Sequence, residues 1–143
     1  MNMAFGVSSN SMPANPLLVG APSGQSRIIL FFCCTISISE IDLCCILGNL
    51  FDNAMDACAA LPEDQRLIRV YMDMKGTQLY ISFTNFTAGK KLPKADGRFR
   101  TTKGEGHGFG LVRIDAIVAR LDGYLSRNSE DGAFTTEILL PQE

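Results

Sequence analysis

Hydrophobic positions fall into alternating periods of two and of three to four along this chain. From Arg27 to Ile38 the residues are β-branched and aromatic and end in the alternation Thr35-Ile36-Ser37-Ile38, which predicts a strand. Ser39-Glu40-Ile41-Asp42 matches a capping box and predicts a helix to about Leu61, bounded by Pro62. Its apolar stripe is Leu43, Leu47, Leu50, Ala54, Ala57 and Leu61. Ile68, Val70, Met72 and Met74 then share one strand face, Lys75-Gly76 signals a tight turn, and Leu79, Ile81 and Phe83 share the next. A second helix is predicted from about Gly108 to Leu121, with Leu111, Ile114, Ile117, Val118 and Leu121 inward and Gly123 as terminator. A last hairpin joins Tyr124-Leu125-Ser126-Arg127, through Asp131-Gly132, to a strand from Phe134 to Leu140. There Phe134, Thr136, Ile138 and Leu140 share a face. The order β-α-β-β-lid-α-β-β predicts an α/β two-layer sandwich: a mostly antiparallel mixed sheet with helices on one face.

Two stretches lack periodicity. Residues 1 to about 12 are polar and small, Asn15-Pro16-Leu17-Leu18-Val19 opens a short helix or docks apolar groups on the body, and Ala21-Pro22-Ser23-Gly24 reads as a loop. Residues 1–26 therefore read as a leader or connection and 27–143 as the domain. Between Gly89 and Gly106 lie Lys90, Lys91, Lys94, Arg98, Arg100 and Lys103 against Asp96 and Glu105, a long basic loop with the character of a functional lid or of a solvated surface loop.

The 143 residues suit one domain, and 13 Lys+Arg against 15 Asp+Glu give a formal charge of −2, which excludes a strongly basic nucleic-acid binder. The lysines and arginines concentrated between Lys90 and Lys103 sharpen that figure, because near-neutrality hides a local positive patch. No apolar run approaches the ~20 residues of a spanning helix, and nothing at the start resembles a signal peptide. Cys33, Cys34, Cys44, Cys45 and Cys58 form no Cys-x-x-Cys pair and read as small buried thiols of a reducing cytosol. A single histidine, His107, argues against a metal cluster.

Three constellations carry chemistry. Asn49, Asn53 and Asp56 lie on one line of the first helix. Asparagine is disfavoured inside helices, so two of them one turn apart need a reason: amide oxygens suit Mg²⁺, although the same spacing also serves solvent-facing amides. Second, Gly104-Glu105-Gly106-His107-Gly108-Phe109-Gly110-Leu111 alternates glycine straight into a helix, after Lys103. Backbone N–H groups freed of side chains, beside a helix N-terminus, suit phosphate. It is neither a Walker A loop nor a dinucleotide fingerprint. Third, Asn85 ends a strand before Phe86-Thr87-Ala88-Gly89 and reads as a base contact or a turn former.

Together these pieces resemble the GHKL, or Bergerat-fold, ATP-binding superfamily of histidine kinases, gyrase, chaperones and mismatch-repair ATPases. Ile46-Leu47-Gly48-Asn49-Leu50-Phe51-Asp52-Asn53-Ala54-Met55-Asp56-Ala57 looks like the N-box, and Thr101-Thr102-Lys103-Gly104-Glu105-Gly106-His107-Gly108-Phe109-Gly110-Leu111 like the G2 box. The Gly-His-Gly-x-Gly-Leu form is similar to that of quorum-sensing, accessory-gene-regulator-type sensor kinases. The resemblance spans roughly Ile38 to Pro141 and implies ATP and Mg²⁺ as cofactors, with the long basic loop as ATP lid. It implies that Asn53 binds Mg²⁺, that Asn49 assists at the phosphates, that Gly104, Gly106, His107, Gly108, Gly110 and Leu111 form the phosphate loop, and that Lys103 meets the terminal phosphates. Asn85 would stand where most members carry the adenine-reading aspartate, and Phe99 where many lids carry a phenylalanine.

Two departures refine the expectation. Asn85-Phe86-Thr87-Ala88-Gly89 lacks the acid and one glycine of Asp-x-Gly-x-Gly, so an adenine amine would meet a neutral acceptor. Asn49 replaces the glutamate with which hydrolytic members activate water, favouring phosphoryl transfer over hydrolysis. The implied activity is a protein-histidine kinase whose acceptor lies outside this chain, since His107 belongs to the glycine box. The resemblance also implies a cytoplasmic position, an upstream membrane sensor and histidine-bearing dimerisation hairpin, and a response regulator downstream. A non-catalytic nucleotide-binding module and an anti-sigma-factor-type serine kinase are the alternatives.

Overall fold

The computed structural model describes residues 17–19, 27–32, 37–90, 94–95, 98–99 and 109–142. Strands β1 (Leu17–Val19) and β2 (Arg27–Phe32) precede helix α1 (Glu40–Cys58) and a 3-10 turn at Glu63–Gln65. Then come β3 (Leu67–Lys75), β4 (Gln78–Phe86), the short pair β5 (Lys94–Ala95) and β6 (Arg98–Phe99), helix α2 (Phe109–Arg120), β7 (Tyr124–Glu130) and β8 (Ala133–Pro141). The main sheet runs β1-β2-β3-β4-β8-β7, and only β2 and β3 are parallel. A parallel pair needs a long crossover, and α1 supplies it. The expected two-layer sandwich with a mostly antiparallel mixed sheet is what the chain forms.

Alternation fixes the buried face. Ile68, Val70 and Met72 of β3, Leu79, Ile81 and Phe83 of β4, and Thr136, Ile138 and Leu140 of β8 are all buried. They pack against Ile46, Leu50, Ala54 and Cys58 of α1 and Ile114 and Val118 of α2. The helices run antiparallel: Arg120 near the end of α2 pairs with Asp42 near the start of α1, Nη2 to Oδ1 2.5 Å. At the other end of α2, Arg127 of β7 pairs with Asp115 at 2.7 Å and donates to the Leu111 carbonyl at 3.4 Å.

Several expectations need correction. The first strand is described over Arg27–Phe32 and the expected Thr35 and Ile36 lie outside the described residues, but Ser37 and Ile38 are not strand; their N–H groups donate to Oε1 of Gln142, at 2.8 and 3.2 Å. Leu17–Val19 is a strand, not the start of a helix, because its backbone pairs with Ile28–Leu30. Ser39 caps α1 without a side-chain bond; its carbonyl accepts from Leu43 N–H, so no capping box forms. The core stripe of α1 is centred on Ile46, Leu50, Ala54 and Cys58, with Leu43 and Leu47 at its edge. The helix ends at Cys58, short of Leu61. The basic loop is not wholly irregular, since β5 and β6 pair within it.

The end of α2 shows why Gly123 is glycine. Asp122, not Gly123, takes the left-handed conformation, φ 52°. Gly123 N–H reaches back to Val118 O at 2.9 Å and Asp122 N–H to Ala119 O at 3.2 Å, a Schellman closure. A β-carbon on Gly123 would lie 2.7 Å from the Leu139 carbonyl oxygen, so close backbone approach sets the residue. Among the described residues no helix is long and apolar enough to cross a membrane.

Candidate functional site

Helix α1 carries the two asparagines on the flank of its buried stripe. Asn49 donates Nδ2 back to the Cys45 carbonyl at 2.7 Å, with the Cys45 Sγ at 3.5 Å. This i to i−4 bond holds the amide against its own helix and leaves Oδ1 pointing elsewhere. What Oδ1 meets is the first turn of α2: a β-carbon on Gly110 would come within 2.9 Å of it. The glycine therefore lets the helix that follows the glycine box seat against the N-box asparagine.

One turn on, Asn53 presents a different arrangement. Its Nδ2 is buried and has no hydrogen-bond partner among the described residues. An unpaired buried donor of this kind costs ~1–3 kcal/mol in a fold, which makes the position one that calls for an explanation. The same side chain carries Oδ1, and a neutral amide oxygen is a proper ligand for a hard cation that takes its remaining ligands from phosphate and water. The donor set fits Mg²⁺ in that sense. No group of three His, Cys, Asp or Glu able to hold a metal occurs among the described residues. Asp56, the third member of the line, is exposed.

Asn85 ends β4 on the helix-facing side, between Ile68 of β3 and Phe134 of β8, and is 6% exposed. Its Nδ2 donates to the carbonyl of Phe86 at 3.3 Å. The same carbonyl accepts from the Cys58 thiol at 3.2 Å, and the Leu67 carbonyl lies 3.7 Å from that sulfur. Burial pushes the Cys58 thiol up from its ordinary range, outweighing the two carbonyls and the Arg66 charge. The thiol stays protonated and acts as a donor. Beyond Phe86 the chain is clipped to the β7–β8 turn: Thr87 N–H donates to Gly132 O at 3.0 Å, and Gly132 N–H to Gly89 O at 3.3 Å.

Along α1 the order is thus Asn49 with Gly110, then Asn53, then Cys58 with Asn85. Nine residues of helix, about 13 Å at 1.5 Å per residue, separate the two ends. Of the residues singled out in the sequence, Asn49 and Gly110 meet at the α1–α2 contact, Asn53 lies one turn further along α1, Leu111 packs against the core cluster, and Asn85 stands at the far end. Lys103, Gly104, Gly106, His107 and Gly108 lie outside the described residues, and Phe99 falls in β6. The expectation of buried thiols holds for Cys58 but not for Cys44, which is exposed, or Cys45, which is half-buried; sequence reasoning missed the bonds from Cys58 to Phe86 and from Asn49 to Cys45. The spacing Ile46-Leu50-Ala54-Cys58, a strict i+4 row, was the available signal for Cys58. The other shifted groups, Asp73, Lys75 and Tyr80, belong to the opposite face of the sheet. There Tyr71 and Lys75 hold the Asp73 carboxyl below its ordinary value, and Asp73 in turn raises Lys75. The Glu137 carboxylate, which accepts from Tyr80 Oη, raises the phenol.

Comparison with known proteins identifies the fold and the family. A "Probable C4-dicarboxylate sensor kinase" of Halalkalibacterium halodurans is 31% identical over 111 residues, which is 74% of this chain and 21% of that protein. The chain thus spans about a fifth of the length of that curated relative. Among solved structures, the nucleotide-free catalytic domain of histidine kinase ThkA superposes with a TM-score of 0.58 at 21% identity, covering 75% of this chain and 70% of that one. Mycobacterial sensor histidine kinase MprB gives 0.55 at 17% identity, covering 82% and 76%. These likenesses place the fold with histidine-kinase catalytic domains. The family profile described as "GHKL domain" matches residues 38–141, from the residue before the α1 cap to the end of β8, and the chain belongs to the GHKL domain family.

Proposed function

We propose that this chain is the ATP-binding catalytic domain of a two-component sensor histidine kinase, acting with Mg²⁺ on a histidine outside the chain. The observation that carries the reading is the seating of Asn49 against Gly110, which joins the N-box helix to the helix following the glycine box. In this reading Asn49 and the backbone from Gly104 to Leu111 bind the phosphates, Lys103 neutralises the terminal one, and Asn85 accepts from the adenine amine. Asn53 would hold Mg²⁺ through Oδ1, and the ion would supply neutralisation of the phosphate charge. An incoming imidazole nitrogen then bonds to the γ-phosphorus as the bond to the β,γ-bridging oxygen breaks. ADP leaves, and the imidazole N–H proton passes to solvent. No carboxylate stands at Asn49 to activate water, so hydrolysis does not compete through that position.

The partners of this reading are a histidine-bearing dimerisation hairpin and a membrane sensor, both outside this chain and joined to it through the 1–26 connection, and a response regulator that receives the phosphate. The accessory-gene-regulator class rests on the Gly106-His107-Gly108-Phe109-Gly110-Leu111 pattern. The test is calorimetric titration with a non-hydrolysable ATP analogue and Mg²⁺, then incubation with ATP and a histidine-bearing helical hairpin. Binding followed by acid-labile, alkali-stable phosphate on the hairpin is the expected result. No binding at millimolar nucleotide overturns the reading, and binding without transfer converts it to a non-catalytic nucleotide module.

A further inference from the structure

Asparagine differs from aspartate in having two faces. A carboxylate reading a base is an acceptor whichever way it turns, but an amide can turn its oxygen or its NH₂ to the ligand. Oxygen outward accepts from a 6-amino purine; NH₂ outward donates to a 6-oxo purine. Position 85 therefore has a specificity choice that an aspartate would not have, and its surroundings decide it.

The deciding group is the backbone carbonyl of Phe86. It receives Asn85 Nδ2 at 3.3 Å and the Cys58 thiol at 3.2 Å. Turning the amide over would bring Oδ1 against that carbonyl, leaving two acceptors opposed in a site where Asn85 is 6% and Cys58 0% exposed. The thiol is a proton donor held in place by the end of α1, and the 3-10 turn and β3 that follow bring Leu67 to its other side.

We propose that the Phe86 carbonyl, held by Cys58, locks the Asn85 amide with its oxygen toward the ligand, making Cys58 a positioning residue for selection of a 6-amino over a 6-oxo purine nucleotide. This rests on the nucleotide-site reading above. The lock predicts that GTP binds more weakly than ATP by about tenfold or more, the loss expected when a fixed acceptor faces an acceptor. Purine riboside triphosphate, which lacks a 6-substituent, falls between them.

The experiment titrates the whole chain with the Mg²⁺ complexes of ATP, GTP and purine riboside triphosphate, in wild type, Cys58→Ala and Cys58→Ser. Wild type is expected in the order ATP, purine, GTP. Cys58→Ala narrows the ATP-to-GTP ratio at least about threefold by freeing the carbonyl, and Cys58→Ser, which keeps an O–H donor, restores it. Equal binding of ATP and GTP by wild type, or an unchanged ratio in Cys58→Ala, overturns the lock while leaving the nucleotide site standing. Absence of all nucleotide binding overturns both. A second variant needs no nucleotide. In Asn85→Asp the carboxylate opposes the Phe86 carbonyl and burial raises its pKa, so the protonated form, which can donate, is the stable one. Stability is present at low pH and lost as pH rises through the raised value. The Tm deficit against wild type widens from pH 5 to pH 8, and a deficit constant over that range counts against the lock.

Discussion

Oδ1 of Asn49 lies where a β-carbon on Gly110 would approach to 2.9 Å, closer than real β-carbons come. The two residues belong to different helices, and the contact exists because Asn49 is tethered to Cys45 O at 2.7 Å and cannot swing away freely. Gly110→Ala therefore sets two effects against each other. Alanine raises helix propensity by about 1 kcal/mol, while its methyl displaces the Asn49 amide. We expect thermal stability within about 1 kcal/mol of wild type and nucleotide affinity reduced about tenfold or more. Adding Asn49→Ala removes the clash, so the double variant is expected to melt above wild type. A double variant that melts below Gly110→Ala would show that the two sites do not interact in this way.

If Asn53 serves the ligand as proposed, its unpaired amide makes stability and ligand binding oppose each other. Its buried Nδ2 lacks a partner among the described residues. Asn53→Ala removes that donor and improves helix propensity, so the nucleotide-free variant is expected to melt higher than wild type, by roughly 1 kcal/mol or more in stability. Mg²⁺ should then no longer strengthen ATP binding. The check is a thermal melt with and without Mg²⁺-ATP; a Mg²⁺-dependent shift as large as in wild type removes Asn53 from the metal site.

Gly123→Ala tests the fold alone. The new methyl would meet Leu139 O and Leu140 Cδ2 at 2.7 Å and Val118 Cγ1 at 3.0 Å. All three are backbone or buried core atoms with little room to yield, so a loss of roughly 1–3 kcal/mol is expected. Chemical denaturation gives the value, and a loss under a few tenths of a kcal/mol would mean the α2–β8 junction is looser than described.

The Asp73 carboxyl is held below its ordinary range first by the Tyr71 hydroxyl at 2.8 Å and next by Lys75 at 3.0 Å. A depressed carboxyl stabilises the fold above its unfolded value and loses that contribution as pH falls. The group is well hydrated, so the effect is under about 1 kcal/mol. Tyr71→Phe should raise the Asp73 titration midpoint toward the ordinary value, followed by NMR of the carboxyl carbon. An unmoved midpoint would assign the shift to Lys75.

Element order and most of the sheet could be read from periodicity because each of β3, β4 and β8 buries one face. A period of two leaves little choice of orientation once Ile68, Leu79 and Ile138 must all face inward. The N-box asparagines were legible for the opposite reason: they break a local preference. What misled was chemistry that local sequence suggests and the fold does not use. Ser39 carries a cap signature, yet the first turn of α1 closes through backbone alone. Ser37 and Ile38 alternate like a strand, but the Gln142 side chain takes their N–H groups.

The sequence by itself determined that two helices lie on one face of a mostly antiparallel sheet, and that Asn49, Asn53, Asn85 and the glycine run are the residues to watch. Those follow from periodicity and from residue types too costly to place idly. Only the tertiary structure decided which atoms face which. It set Gly110 against Asn49, left the Asn53 NH₂ without a partner among the described residues, and brought the Cys58 thiol and Asn85 amide to one carbonyl. Such contacts join residues far apart in the chain, and their direction depends on side-chain torsions and helix packing that no local pattern encodes.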